Sequence, residues 1–278
     1  MKNSKKFLLN LPTVFVLALA VAVPAVSQAE EKKADKEKGP LMDIGVSAYT
    51  KRPDENGKSV AEGRAIYESA CIYCHGIEGM GDGPVATYLN KDLAPQPRDF
   101  TSGIYKFRST ASGELPMDED LYRTVTRGVT GFMPGFVGLS PTDRWKVVYY
   151  IKSLSEDFKG AEPPEAINVV GSAIPSTAVS VNKGYKVYQE YKCWECHGGG
   201  GLGDGKKAPD LKDDWDYPLP PRNLTQLRSY KNGSEPIDLY RTIMAGLDGG
   251  AMPSYADFFE GEEDDVWHLV NYIRALSQ

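Results

Sequence analysis

Cys71-Ile72-Tyr73-Cys74-His75 and Cys193-Trp194-Glu195-Cys196-His197 take all four cysteines and two of the three histidines of this 278-residue chain. Cys-x-x-Cys-His is the pattern that attaches a c-type haem. Each thiol adds across one vinyl group to give a thioether, and the histidine that follows is held where its imidazole can reach the iron. A bare Cys-x-x-Cys would also suit a redox disulfide or half of a zinc site, but the adjoining histidine argues against both. Two such motifs with no cysteine left over point to two covalently bound haem c groups.

The chain around the motifs repeats. The first half reads Gly63, Tyr67, the haem motif, Pro97-Arg98-Asp99, Leu121-Tyr122-Arg123-Thr124, Met133-Pro134, Trp145 and Tyr150-Ile151. The second reads Gly184, Tyr188, the haem motif, Pro221-Arg222-Asn223, Leu239-Tyr240-Arg241-Thr242, Met252-Pro253, Trp267 and Tyr272-Ile273, in the same order. Each unit has an ordinary single-domain size. We divide the chain into a signal peptide (1–29), a charged tether (30–55), a first domain (56–157), a linker rich in proline, glycine and small residues (158–178) and a second domain (179–278).

Within each unit the apolar residues recur at helical spacing, notably over 119–127, 141–154, 237–245 and 263–276, and long alternating strands are absent. The fold class is all-α. Ser59, with Glu62 as a capping-box partner, is expected to cap the first helix, and Asn182 its counterpart in the second unit.

An iron held by one histidine needs a sixth ligand or an open face. Met133 and Met252 sit in glycine-flanked Met-Pro loops at similar distances after His75 and His197. A thioether opposite the histidine favours Fe(II) and gives a closed, low-spin, electron-transferring centre. The alternative, two methionines filling gaps in a core, is the commoner fate of that residue. Arg98 and Arg222 are candidate bidentate partners of haem propionates, or else solvated loop arginines. His268, the spare histidine, falls inside the last helix and reads as a packed or surface residue. The letters Gly198-x-Gly200-x-x-Gly203 match a dinucleotide fingerprint, but they follow a haem motif instead of a strand.

These motifs resemble class I cytochrome c twice over, across nearly all of residues 56–278. The resemblance implies two helical domains with one covalent haem each, axial ligands His75 with Met133 and His197 with Met252, and attachment through Cys71, Cys74, Cys193 and Cys196. It implies that Gly63 and Tyr67 meet Tyr150-Ile151, and that Gly184 and Tyr188 meet Tyr272-Ile273. It further implies a proline carbonyl accepting the haem histidine's Nδ1 proton. Pro84 suits that in the first domain, whereas Lys206 stands at the same distance in the second, which leaves that support open. The segment Pro97-Arg98-Asp99-Phe100-Thr101, followed by Tyr105 to Thr110, resembles bacterial cytochromes serving periplasmic respiratory enzymes.

The N-terminus places the chain. Lys2, Lys5 and Lys6 precede an apolar stretch over 7–26, and Ser27-Gln28-Ala29 offers the small residues of a cleavage site. This is expected to be a Sec-type signal that sends the protein to the periplasm; left uncleaved, it would anchor the chain in the membrane facing that compartment. Cleavage removes three lysines and no acid, taking the net charge from −6 to −9. Such a charge excludes nucleic acid as a natural partner. The expected function is a one-electron carrier between redox proteins: a periplasmic oxidoreductase, a membrane respiratory complex or a terminal oxidase. It would have no turnover of its own, though it could be a subunit of a larger complex. The competing class is a dihaem enzyme such as a peroxidase or a thiosulfate-oxidising enzyme, which would need an exchangeable position on one iron.

Overall fold

A computed structural model describes residues 52–89, 95–169 and 171–277. The signal peptide and most of the tether lie outside the described residues. Each half begins with one long helix and ends with another that packs across it. In the first half these are α1 (Gly57–Ala70) and α5 (Pro141–Ser153), separated by α2 (Ile72–His75), α3 (Pro84–Tyr88) and α4 (Asp118–Arg127). In the second half α6 (Ala178–Glu190) and α9 (Glu263–Ala275) cross, with α7 (Trp194–His197) and α8 (Pro236–Ala245) between them. Among the described residues there are only isolated bridges and no strand, as the all-α reading requires. None of their helices is long and apolar enough to cross a membrane.

The two crossings share one cause. A Cβ placed on Gly63 would lie 1.9 Å from the Lys146 carbonyl oxygen, and one on Gly184 would lie 2.0 Å from that of His268. Only glycine lets the backbones approach so closely. One turn on, Tyr67 packs on Tyr150 with ring centroids 5.0 Å apart, and Tyr188 on Tyr272 at 5.2 Å. These are the contacts the family resemblance implied. Both tyrosines are fully buried. Their hydroxyls donate to the carbonyls of Gly76 (2.8 Å) and Gly198 (2.6 Å), which ties each first helix to the residue after its haem motif. Behind them Tyr122 stacks on Trp145 at 4.3 Å, and Tyr240 packs against Trp267 at 4.4 Å.

The helix caps differ from expectation. Helix α1 starts earlier, and Asn56 is its cap: its side-chain oxygen accepts from the amides of Lys58 and Ser59, both at 3.0 Å. Ser59 lies inside the helix and donates to the Asp54 carbonyl (2.7 Å), while Glu62 pairs with Lys146 of α5 (2.9 Å) instead of reaching back. Thr177, not Asn182, caps α6 by accepting from the Ser180 amide (3.2 Å). A cap must present an acceptor to amides two or three residues ahead, and Asn182 sits too deep in the helix to do so. His268 is packed, as expected: it is 8% exposed, with Nδ1 2.8 Å from Ser180 Oγ.

The two halves form one compact unit. Arg123 of α4 is 3% exposed and donates to Asn232 Oδ1 (2.7 Å) and Asp238 Oδ1 (3.1 Å). Asp238 also accepts from Arg127 and Arg241, both at 3.3 Å. Arg108, whose side chain is fully buried, donates to the Ala245 carbonyl (2.9 Å) and pairs with Asp248 (2.7 Å). The linker is held at both ends, by Ile167 donating to the Ser109 carbonyl (2.7 Å) and by Asn271 donating to that of Ile174 (2.9 Å).

Candidate haem sites

Each haem motif forms a single helical turn. After α1 the backbone breaks at Cys71, so Cys74 and His75 lie on the short helix α2, which ends at Gly76 with φ +77°. Gly198 ends α7 in the same way, with φ +80°. That left-handed conformation favours glycine, and it turns the chain into the loop that follows. The loops are pinned alike. Gly81 and Gly83 donate to the carbonyls of His75 (2.9 Å) and Cys74 (3.1 Å), and Gly203 and Gly205 to those of His197 (2.8 Å) and Cys196 (3.1 Å). Replacing Pro84 by Lys206 therefore leaves the second loop in the same form as the first.

The histidine supports also match, but not through Pro84. His75 Nδ1 lies 3.1 Å from the Arg98 carbonyl oxygen, and His197 Nδ1 lies 3.0 Å from that of Arg222. The Pro84 carbonyl instead accepts from Thr87 Oγ1 (2.7 Å) in the first turn of α3. A carbonyl only accepts, so each imidazole must carry its proton on Nδ1, leaving the Nε2 lone pair for a metal. Burial pulls both histidines below their ordinary pKa, which keeps them neutral. Phe100 stacks on the His75 ring at 4.4 Å, and Leu224 takes its place in the second half, donating to the Gly201 carbonyl as Phe100 does to that of Gly79.

In the second half the predicted residues meet. Cys193, Cys196, His197 and Met252 line one cavity, with Leu224, Leu239, Ile243 and Phe259 among its apolar walls. Met252 is set by the Leu247 amide, which donates to its carbonyl (2.9 Å), and by Tyr255 donating to that of Ile243 (3.1 Å). The Met133 loop has the same frame. Val129 and Met133 exchange amide bonds, both at 2.9 Å, and Phe136 donates to the Val125 carbonyl (3.0 Å). Met133 itself is half-buried.

The donor set fits a covalently bound haem. All four cysteines are free, and burial pushes the Cys71 and Cys193 thiols up to about 11. Such thiols are protonated at neutral pH, unlike those of a reactive dithiol. No group of three or more His, Cys, Asp or Glu among the described residues is placed to hold a metal ion by itself. Tyr105 Oη is buried without a hydrogen-bond partner among them, a donor that a carboxylate would satisfy.

Arg98 and Arg222 thus contribute through their carbonyls, a role the sequence did not suggest. The Arg98 guanidinium reaches across the seam between the halves, and Arg222 lines the cavity there. The Arg98 group stacks over Trp215 of the second half, 4.8 Å from the ring centroid. Lys106 and Lys231, which the sequence had not singled out, line the same region. Their signal was present in the repeat, as Tyr105-Lys106 and Tyr230-Lys231.

Comparison with known proteins finds the same tandem repeat. The family model described as cytochrome C oxidase, cbb3-type, subunit III matches twice, over residues 58–151 and 179–273. A solved structure titled "Kuenenia stuttgartiensis reducing HAO-like protein complex Kustc0457/Kustc0458" contains a chain 40% identical to this one. That match covers 78% of this chain and 96% of the other, with a TM-score of 0.72. No curated protein matches. Cytochrome c domains imply covalently bound haem c. The chain belongs to the cytochrome c family of cbb3-type oxidase subunit III and carries its domain in tandem.

Proposed function

We propose that this protein is a dihaem, one-electron carrier that works in the periplasm, passing electrons between a redox enzyme and a second redox protein. The observation that carries this reading is the second cavity, where Cys193, Cys196, His197 and Met252 converge and His197 is fixed by the Arg222 carbonyl. When bound, haem c supplies a reversible Fe(III)/Fe(II) couple. The chain's part is to hold and tune it. Cys71, Cys74, Cys193 and Cys196 would fix the two groups, one per domain. The Arg98 and Arg222 carbonyls orient His75 and His197 as ligands, and Met133 and Met252 would close the opposite faces.

The partner is proposed by analogy. The similar chain from Kuenenia stuttgartiensis belongs to a complex described as reducing and HAO-like. We take this chain to assemble in the same manner with a larger redox enzyme. The export signal expected over residues 1–29 would place this chain in the periplasm, where such an enzyme would have to meet it.

The test is the optical spectrum of the purified holoprotein, oxidised and reduced, with and without carbon monoxide. Two closed irons should show the weak long-wavelength band of a methionine–iron(III) bond and no carbon monoxide adduct. Met252→Ala should remove about half of that band and open one haem to carbon monoxide. A wild-type haem that is high-spin, or that takes up carbon monoxide, would overturn the carrier reading in favour of a haem enzyme.

A further inference from the structure

The cavity around His197 and Met252 has an unbalanced lining. Four cations border it, Lys106, Lys192, Arg222 and Lys231, and no aspartate or glutamate does. Lys106 belongs to the first half of the chain. It reaches across the seam, its Cε 3.2 Å from where a Cβ on Gly250 would sit, two residues before Met252. Lys231 makes the reciprocal reach, its Nζ lying 4.6 Å from the ring centroid of Phe132, which adjoins Met133. Lys106, Arg222 and Lys231 also line a second cavity where the two halves meet, together with Arg98 and with Asp82, Asp99 and Asp213.

None of these cations sits in direct contact with an acid among the described residues. Arg98, Lys106, Arg222 and Lys231 form no ion pair among the described residues. Asp99, Asp213 and Asp214 act on Arg98, and the latter two on Lys106, through their fields only; Asp99 already accepts from the Thr101 amide (2.8 Å) and hydroxyl (2.7 Å), and Asp213 from the amides of Trp215 and Tyr217, both at 3.0 Å. Burial first, and neighbouring positive charge next, bring Lys106 and Lys231 down to about 8. Half-buried like charges gathered this way require an anion between them. The anion that a haem site supplies is the carboxylate edge of the haem.

We propose that Lys106 is a residue of the second haem site contributed by the first domain, and that with Lys231 it forms a cationic seam shared by the carboxylates of both haems, coupling their potentials. This rests on the dihaem reading above. A cation beside a haem carboxylate favours the reduced iron, so removing it lowers the potential of the haem it faces. The two domains are then one redox unit: neither cavity keeps its electrostatics without the other half.

The experiment is spectroelectrochemical titration of the full-length holoprotein. In a Met133→His background the first haem drops out of the high-potential window, leaving the second to be read. Lys106→Gln should then lower the second haem's midpoint by at least threefold in its reduced-to-oxidised ratio, about 30 mV at 59 mV per tenfold. Lys106→Arg, which keeps the charge, should restore the wild-type value. Lys58→Gln removes the same charge from an exposed first-domain site and should move the second haem far less. A Lys106→Gln shift no larger than that of Lys58→Gln, or no rescue by arginine, overturns the proposal. Should Lys106→Gln fail to accumulate, Lys231→Gln in a Met252→His background reads the seam from the other side. The same downward shift is expected of the first haem, and its absence is equally fatal. Both lysine variants keep their methionine-band spectra if the carrier reading holds, so the two ideas fail separately.

Discussion

Replacing Gly184 by alanine tests the helix crossing in sign as well as size. In an ordinary helix interior the change should stabilise by about 0.5–1 kcal/mol, because glycine is the poorer helix former. Here the new Cβ would sit 2.0 Å from the His268 carbonyl oxygen and 2.7 Å from Tyr272 Cβ, and both are anchored atoms, not flexible side-chain ends. Reaching ordinary contact means moving α6 off α9 by about 1.4 Å, in an interior packed at crystal density. Overpacking of that kind costs about 1–3 kcal/mol. Because both atoms are anchored, the cost falls in the upper half of that range, about 2–3 kcal/mol; after subtracting the propensity gain we expect a net loss of about 1–2.5 kcal/mol, or a fall in Tm of about 2–10 °C for a chain of this size. Thermal unfolding of the holoprotein, followed by far-ultraviolet circular dichroism, reads it directly. Gly57→Ala is the control: nothing lies within 4 Å of its Cβ position, so Tm should hold or rise slightly. A Gly184→Ala protein as stable as wild type would refute the claim that backbone contact at the crossing sets the choice of glycine.

Three further expectations follow from other contacts. Asp238→Asn leaves Arg123, Arg127 and Arg241 beside one another without their shared acid, and should cost about 3–5 kcal/mol in denaturant unfolding; a loss under about 1 kcal/mol would mean that water already screens the cluster. Asn56→Ala should cost about 1 kcal/mol and exceed the effect of Ser59→Ala, whereas the reverse order would return the cap to Ser59. The Lys146 hydrogen bond holds the Glu62 carboxyl below its ordinary pKa. Its contribution is therefore present above the unfolded value of about 4.3 and is lost as pH falls through the lower folded one. Wild-type Tm should drop more steeply than that of Glu62→Gln as pH falls below about 4.3, and coincident profiles would show the bridge to be inert.

What the sequence disclosed depended on where the physics was written. Side-chain chemistry at fixed spacing was plain, so the haem motifs and the repeat were readable, and the family resemblance they carry implied the pairing of Gly63 and Tyr67 with Tyr150. The support of His75 was not, because a backbone carbonyl is present at every residue and Arg98 leaves no mark as an acceptor. The cap of α1 was misplaced for a related reason. Asn56 and Ser59 are both good cap residues, and which one serves depends on where α1 begins to lie against α5. Lys106 and Lys231 stand in the repeat as Tyr105-Lys106 and Tyr230-Lys231, but their significance arises only once the halves are joined, across more than a hundred residues of chain. The signal peptide expected over residues 1–29 lies outside the described residues.

The seam between the halves has one more consequence. Arg123 of one repeat meets Asp238 of the other, while Arg241, at the position equivalent to Arg123, feels Asp120, at the position equivalent to Asp238, as its strongest opposing charge. A contact in which residue i of one copy meets j of the next, and j meets i in return, is isologous. Each repeat therefore carries both halves of a self-complementary surface. The junction of the halves is thus specified twice over, once by each repeat, and the linker has only to keep the two copies near one another.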